Sequence, residues 1–164
     1  MQNAGEIRVE NALSRIRSIA DYQFGKGVGV KLFPENVEIM YSKATGRIRY
    51  VHLNGKRLAT LRPTDGLLSL SITAARLVAE NRGFARCFVT VQKDVSEFVA
   101  DGGDVFAAHV VTADDAIRAK DEVIILDEDQ RVLAVGRALL SADEMLAFKI
   151  GVAIKVRRGS AKES

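Results

Sequence analysis

The chain has 164 residues, 48% apolar and 27% charged, and no apolar run near the roughly 18–20 residues of a membrane span, so the composition predicts a soluble globular protein of one or two domains. A single cysteine, Cys87, excludes an internal disulfide, which favours a cytoplasmic location. The formal net charge of +3 is unevenly divided: residues 1–87 hold 14 Lys and Arg against 7 Asp and Glu, and residues 88–164 hold 10 against 14, a division that favours directed binding to a polyanion.

The first predicted element is an amphipathic helix over residues 7–20. Its apolar residues recur every three or four positions, among them Leu13, Ile16 and Ala20. The glycines of 25–29 predict the end of this helix and a flexible turn. Their spacing does not match a phosphate-binding glycine motif, although Lys26 and the backbone amides of the turn remain a candidate phosphate contact.

An antiparallel sheet is predicted to follow. Short strands are expected over 37–40, 47–53, 56–61 and 67–70, and Asn54-Gly55 is a strong signal for a tight hairpin between the second and third. The apolar phase breaks at Tyr50–Val51, which predicts a bulge with Tyr50 on the buried side. A second helix is expected over 72–79. Residues 1–87 are therefore predicted to form a small antiparallel sheet with helices, in the order α–β–β–β–β–α.

The basic residues of this half are its best functional signal. Arg47 and Arg49 are predicted to share a strand face, and the hairpin brings residues 56–62 back beside them, so one sheet face could present several cations to a phosphate backbone. The basic set is Lys26, Lys31, Lys43, Arg47, Arg49, Lys56, Arg57 and Arg62. Tyr50 and Tyr41 are predicted to be packing residues. With aromatic residues at 6%, base stacking is not expected to drive binding.

The second half is dominated by β-structure. Residues 123–126 and 132–135 are apolar without alternation, and the polar turn Asp127–Asp129 joins them, so a hairpin buried on both faces is predicted, as in a small closed barrel. Ser141 and Glu144 match a capping box that starts a helix. Gly151 is predicted to end this helix, and a last strand is predicted over 152–156.

Two family resemblances cover nearly the whole chain. The segment 95–107 with its Gly-Gly-Asp-Val-Phe-Ala opening, the Asp-Glu-Val-Ile-Ile hairpin, Ala-Val-Gly136 and the terminal Gly-Val-Ala-Ile-Lys-Val strand resemble a PUA domain, a small β pseudobarrel. Ala20-Asp-Tyr-Gln-Phe-Gly25, Leu32-Phe-Pro34, Thr45-Gly-Arg-Ile48 and Leu58-Ala-Thr-Leu-Arg62 resemble the domain before PUA in archaeosine tRNA-guanine transglycosylase and archaeosine synthase. The resemblance implies an α+β fold in two domains, 1–87 and 88–164, without the catalytic barrel of those enzymes.

The PUA resemblance also implies an RNA-binding groove. It places the loop after the first PUA helix opposite the last strand, and it assigns the groove to Gly102, Gly103, Asp104, Val105, Phe106, Ile154, Lys155, Val156 and Arg157. Glycines let a backbone offer its amides to phosphates, and the neighbouring cations add charge. Relatives often carry Lys or Arg near positions 103 and 108, where this chain has Gly103 and Ala108, and Asp104 adds a repulsive charge.

Catalysis is not expected. His52 and His109 lack partners at metal-ligand spacing, so no metal or other cofactor is predicted. The pairs Asp114-Asp115 and Asp121-Glu122 and the triplet Asp127–Asp129 are predicted to be solvated turn carboxylates with ordinary pKa values. The prediction is a non-catalytic protein that binds structured RNA, tRNA or rRNA, with no DNA or membrane partner. The alternative is an adaptor that docks on a tRNA-modification enzyme or the translation machinery, its acidic turn at 127–129 meeting a basic protein surface.

Overall fold

The computed structural model of the protein describes residues 3–162, apart from the side chains of residues 6–10 and 84. The chain forms two compact units, Met1–Phe84 and Ala85–Ser164, which are called the N-terminal and C-terminal units. None of the helices in the described residues is long and apolar enough to cross a membrane.

The N-terminal unit is a four-stranded antiparallel sheet with three helices. The strands are neighbours in chain order, as predicted. The helices are α1 (Ala4–Phe24), α2 (Val28–Leu32) and α3 (Ile72–Glu80), and the strands are β1 (Glu38–Tyr41), β2 (Ile48–Leu53), β3 (Lys56–Leu61) and β4 (Leu68–Leu70). Ile16, Ala20 and Phe24 of α1 are completely buried because their spacing of four places them on one helix face.

The glycine segment after α1 is a turn only as far as Gly27: α1 ends at Phe24, as the glycines predicted, but the turn does not extend to Gly29. Val28–Leu32 forms the short helix α2, and it packs directly on α1: a Cβ on Gly29 would lie 2.2 Å from the carbonyl oxygen of Arg17. The close approach of the two backbones requires glycine at this position.

The hairpin between β2 and β3 forms as predicted. Asn54 and Gly55 both have positive φ, 51° and 79°, which is the geometry of a type I′ turn. The strand register shifts twice nearby, at Met40/Tyr41 opposite Arg49 and at Val51/His52 opposite Leu58. These bulges turn Tyr50 onto the same face as His52, opposite Met40 and Thr60, and not onto the buried side that the sequence predicted.

The C-terminal unit is a barrel-like sheet of six strands with two short helices. The strand order is β6-β10-β9-β8-β5-β7, and β5 pairs with β8 in parallel while the other neighbours are antiparallel. The strands are β5 (Phe88–Val91), β6 (Val105–Phe106), β7 (Val110–Ala113), β8 (Glu122–Leu126), β9 (Val132–Ala138) and β10 (Val152–Gly159), and the helices are α4 (Ser96–Ala100) and α5 (Ala142–Ala147).

Two sequence signals explain this second core. All five residues of β8 are buried, as expected for an apolar run without alternation at the centre of a closed sheet. At the start of α5 the Ser141 hydroxyl accepts from the Glu144 amide, and the Glu144 carboxylate accepts from the Ser141 amide. The predicted capping box is therefore present, and it fixes where α5 begins.

Candidate nucleic-acid interface

The two glycines of the predicted groove terminate helix α4. The Gly103 amide donates to the Phe98 carbonyl at 2.9 Å and the Gly102 amide to the Val99 carbonyl at 2.9 Å, with φ of 106° at Gly102. This is the paired hydrogen-bond pattern of a Schellman motif. Both amides thus donate to carbonyl groups of the protein, so neither is free to donate to a phosphate as the resemblance implied.

Asp104 holds the last strand in place. Its carboxylate accepts from the Val156 amide at 2.9 Å and lies 3.5 Å from the Lys155 ammonium. The charge that the sequence suggested would repel RNA is therefore partly balanced by Lys155. Because β6 and β10 are joined next to it, Asp104 ties the loop after α4 to the strand that faces it.

Burial separates the groove residues into core and surface. Val105, Ile154 and Val156 are buried core side chains. Phe106 is 41% exposed, and the Lys155 side chain is 65% exposed. Of the residues that the resemblance assigned, only Phe106, Lys155 and Arg157 therefore present a large part of their side chains to solvent.

Arg157 is tied to a buried carboxylate. Its two terminal nitrogens lie 2.7 and 2.6 Å from the two oxygens of Glu122, whose side chain is completely buried. The prediction that Glu122 is a solvated turn residue is wrong, because it is the first residue of β8 and lies under the Arg157 guanidinium. Arg157 is 40% exposed, but most of its charge is balanced by this bidentate pair.

The structure adds Arg137 to this surface. The Cα pairing of β10 with β9 places Arg137 directly opposite Lys155, and side chains of such a pair share one face of the sheet. Arg137 is the single exposed residue of β9. The sequence signal was a lone arginine at the end of an apolar strand, and the predicted residues did not include it.

The predicted cations of the N-terminal unit differ in availability. Lys26, Arg47 and Lys56 are exposed. Arg62 donates two hydrogen bonds to Asp65, at 3.2 and 2.9 Å. Burial raises the pKa of Asp65, but the Leu67 amide and Arg62 outweigh it and hold the pKa below its usual value. The main contact of Arg62 is therefore with Asp65 in its own turn, and not with solvent.

Asp21 occupies the place that a phosphate would need at the glycine segment. Its Oδ1 accepts from the Gly29 amide at 2.7 Å, and its backbone carbonyl accepts from the Gly25 amide at 3.0 Å. The Val28 amide donates to the Gly25 carbonyl at 3.1 Å. A phosphate at these amides would have to displace a carboxylate of the protein itself, which leaves the Lys26 side chain as the accessible donor.

Two arginines surround Tyr50 on the sheet. The guanidinium carbon of Arg57 lies 3.9 Å from the centre of the Tyr50 ring, and that of Arg49 lies 5.5 Å from it. A hydrogen bond from Arg49, with its charge and that of Arg57, lowers the pKa of Tyr50 by more than desolvation raises it. Tyr50 thus packs against arginines and not in the core. Arg57 is one of the basic residues of 56–62 that the hairpin was predicted to bring beside Arg47 and Arg49, and the structure places it over the Tyr50 ring.

The remaining acidic residues have structural roles. The Asp127 carboxylate is buried and accepts from the Asp129 and Arg131 amides and from the Arg131 side chain. Asp127 is therefore not the solvated turn residue that the sequence predicted. Glu128 accepts from the Lys93 amide and Asp114 from the Phe88 amide. Burial, with Asp114 and Glu122 nearby, raises the pKa of the Cys87 thiol well above its usual range, which disfavours a reactive thiolate.

Comparison with known families assigns both units. Residues 14–83 match the patch-forming domain C2 of tRNA-guanine transglycosylase, and residues 88–160 match the PUA domain. These matches confirm both resemblances that the sequence suggested.

The chain is similar to archaeal tRNA-guanine(15) transglycosylases. It is 47% identical over 150 residues to the enzyme of Pyrococcus furiosus and 42% identical over 158 residues to that of Methanobrevibacter smithii. These alignments cover 92% and 96% of this chain but only 25% and 24% of the relatives. The chain thus spans about a quarter of the length of the curated relatives it matches.

Solved structures agree on the fold. A hypothetical protein from Pyrococcus horikoshii is 25% identical with a TM-score of 0.73, covering 93% of this chain and 91% of that one. A conserved PUA domain protein from Thermoplasma acidophilum is 24% identical with a TM-score of 0.67, covering 94% and 92%. These likenesses confirm the predicted α+β fold with a PUA-type barrel.

Proposed function

We propose that this chain, whose two units match the patch-forming domain C2 of tRNA-guanine transglycosylase and the PUA domain, is a non-catalytic protein that binds structured RNA, tRNA or rRNA, through phosphate and shape contacts. Its similarity to enzymes named for their action on tRNA supports tRNA as the first RNA to test. The use of Glu122, Asp127 and Asp114 in internal hydrogen bonds supports a role without acid–base chemistry.

The observation that carries the proposal is the cross-strand pair Arg137 and Lys155. The two cations share one exposed face of the barrel, at the last strand that the PUA resemblance assigned to the groove. Arg137 forms no ion pair with the side chains that the structure describes: Glu122 lies opposite it on β8, but that carboxylate is bound by Arg157. The contact of Lys155 with Asp104 is long and exposed. Exposed cations at this spacing suit successive phosphates of an RNA backbone. We therefore assign phosphate binding in the C-terminal unit to this pair and a supporting role to Arg157.

The test is a fluorescence-anisotropy titration of the full chain with a tRNA transcript over a series of salt concentrations. The double variant Arg137→Gln with Lys155→Gln is expected to make the fall of log affinity with log salt less steep. The magnitude of the slope should decrease by about 1–2, because each lost phosphate contact reduces it by about 0.7–0.9. Arg131→Gln is the matched control, because it removes one exposed charge that Asp127 and Asp129 already balance. A double variant that binds like the Arg131→Gln control would contradict the proposal.

The alternative is an adaptor that docks on a tRNA-modification enzyme or on the translation machinery. The acidic turn is a weaker docking site than its sequence suggested, since the Asp127 carboxylate is used internally. The exposed apolar side chains near the end of α5 are the observation in its favour: Leu146 is 47%, Phe148 44% and Ile150 85% exposed. Pull-down with mass spectrometry, comparing the wild type with Ile150→Asp, tests it; a stable protein partner lost in the variant, with weak tRNA binding, would favour the adaptor.

A further inference from the structure

The sheet of the N-terminal unit has one covered face and one more exposed face. Val51, Ala59 and Leu70 are paired across β2, β3 and β4, and they are nearly completely buried. The opposite face carries Met40, Tyr50 and Thr60 in one row and Glu38, His52 and Arg57 in the next. Met40 is 43% exposed, and Glu38 and Arg57 are exposed. This second face is called the outer sheet face.

Arg57 is held flat on this face by an aromatic ring. At 3.9 Å from the Tyr50 ring centre, its guanidinium carbon is at stacking distance, and the side chain is nevertheless exposed. The guanidinium therefore covers the Tyr50 ring, and the exposure of Arg57 leaves it accessible to a ligand. Arg49 approaches the same ring, with its guanidinium carbon 5.5 Å from the ring centre, so two cations lie around one tyrosine.

The partners of these two arginines differ from those of the arginines in ion pairs. Arg62, Arg131 and Arg157 each donate to carboxylates. Among the side chains that the structure describes, Arg49 and Arg57 form no ion pair, and the ring that they contact carries no full negative charge. Each guanidinium therefore keeps its full positive charge, and the ring has already limited its rotamers. A guanidinium ordered in advance loses less conformational entropy when it binds an anion.

We propose that the Arg49–Tyr50–Arg57 cluster binds one unpaired nucleotide of an RNA, with the base stacked on the open side of the Arg57 guanidinium and the phosphate bound by N–H groups of Arg49 and Arg57. Arginine planes stack on unpaired bases and bind phosphates with the same group. The excess of basic residues in residues 1–87 supplies the matching long-range charge. This inference rests on the proposed RNA binding and assigns it a second, separate site.

An acidic peptide is the competing occupant, because carboxylates also bind guanidinium groups. The open face of a stacked arginine favours a nucleotide, since a flat base covers that face while a carboxylate reaches only the N–H edge. Heparin oligosaccharide carries anionic groups without bases and therefore isolates the contribution of charge alone.

The test uses the full chain with three probes: a twelve-residue oligoadenylate, a heparin octasaccharide and oligoglutamate. Arg57→Lys keeps the charge and removes the planar guanidinium. It is expected to weaken oligoadenylate binding about 5- to 10-fold, which corresponds to the loss of one stacked base. Heparin binding is expected to weaken by less than about twofold, because the charge is kept. Arg15→Lys is the matched control, because it makes the same change at an exposed arginine of α1 with no ring contact in the described residues. Tyr50→Leu, which removes the ring that orders Arg57, is expected to weaken oligoadenylate binding about threefold or more.

Each contrary result has a defined meaning. Equal effects of Arg57→Lys and Arg15→Lys, or equal losses for oligoadenylate and heparin with Arg57→Lys, overturn the stacking site. Tighter binding of oligoglutamate than of oligoadenylate, lost in Arg57→Lys, overturns RNA as its occupant. If the wild type binds tRNA and only the Arg137 and Lys155 variants weaken it, the present inference fails alone, whereas absence of tRNA binding removes the proposed function as well.

Discussion

The pair between Arg157 and Glu122 yields the most demanding stability prediction. Replacing Arg157 with Met removes the guanidinium from a carboxylate whose side chain is completely buried, with contacts of 2.7 and 2.6 Å. Removing one partner of a buried ion pair costs about 3–5 kcal/mol, because the other charge stays buried. Since Arg157 is 40% exposed, water can partly replace it, and we expect a loss of about 2–3 kcal/mol in the free energy of unfolding.

A double-mutant cycle separates the pair from the packing of its side chains. Glu122→Met combined with Arg157→Met replaces both charges by apolar groups, and such replacements are often neutral within about 1 kcal/mol. Urea unfolding followed by circular dichroism gives the free energies. Amide hydrogen exchange in Glu122–Leu126 reports the C-terminal unit on its own. The reasoning fails if Arg157→Met costs less than about 1 kcal/mol, or if the double variant costs as much as the two single changes together.

Two further predictions concern the N-terminal unit. Gly29→Ala is expected to destabilise this unit by about 1–3 kcal/mol, because the new Cβ would meet the Arg17 carbonyl. Gly83→Ala is the control: open space surrounds its new Cβ, so little effect is expected. Similar melting temperatures for the two variants would contradict the contact between α1 and α2. Asp65→Asn is expected to cost about 0.5 kcal/mol at neutral pH, discounted for solvent screening. Because the pKa of Asp65 is lowered in the folded state, the ionised carboxylate stabilises the protein above the ordinary pKa, and this stabilisation is lost as pH falls through the folded pKa. The unfolding curves of variant and wild type should therefore converge in acid. A difference in stability that does not depend on pH would exclude the ion pair as the cause of the loss.

Elements whose determinants are close together in the sequence were predictable. The capping box needs only Ser141 and Glu144, three residues apart, and the hairpin needs only Asn54 and Gly55. In both cases the side-chain chemistry or the allowed φ selects the local backbone without help from distant residues. The resemblance of the second half to a PUA domain then supplied the barrel, which the two apolar runs without alternation favoured but did not specify.

Contacts between distant residues explain what was missed. Glu122 lies in a run of acidic residues and looks solvated, and only its pairing with Arg157, 35 positions away, shows that it is buried. The parallel pairing of β5 with β8 has the same origin, since no local signal links Phe88 to Ile124. Likewise Asp104 looks repulsive beside a groove until its bond to the Val156 amide is known.

Counting cations therefore overestimates a binding surface, and their partners are the better guide. Among the predicted arginines, Arg62 and Arg157 are held by carboxylates, while Arg49 contacts Tyr50. The structure adds Arg137, which no predicted face contained and which the strand register places opposite Lys155. It also places Arg57, one of the predicted basic residues, over the Tyr50 ring. An ion pair must be broken before its arginine can bind a phosphate, whereas a guanidinium stacked on an aromatic ring is ordered and still fully charged. For this reason the arginines stacked on Tyr50 and the Arg137–Lys155 pair, and not the arginines in ion pairs, are where the affinity for a polyanion should be sought.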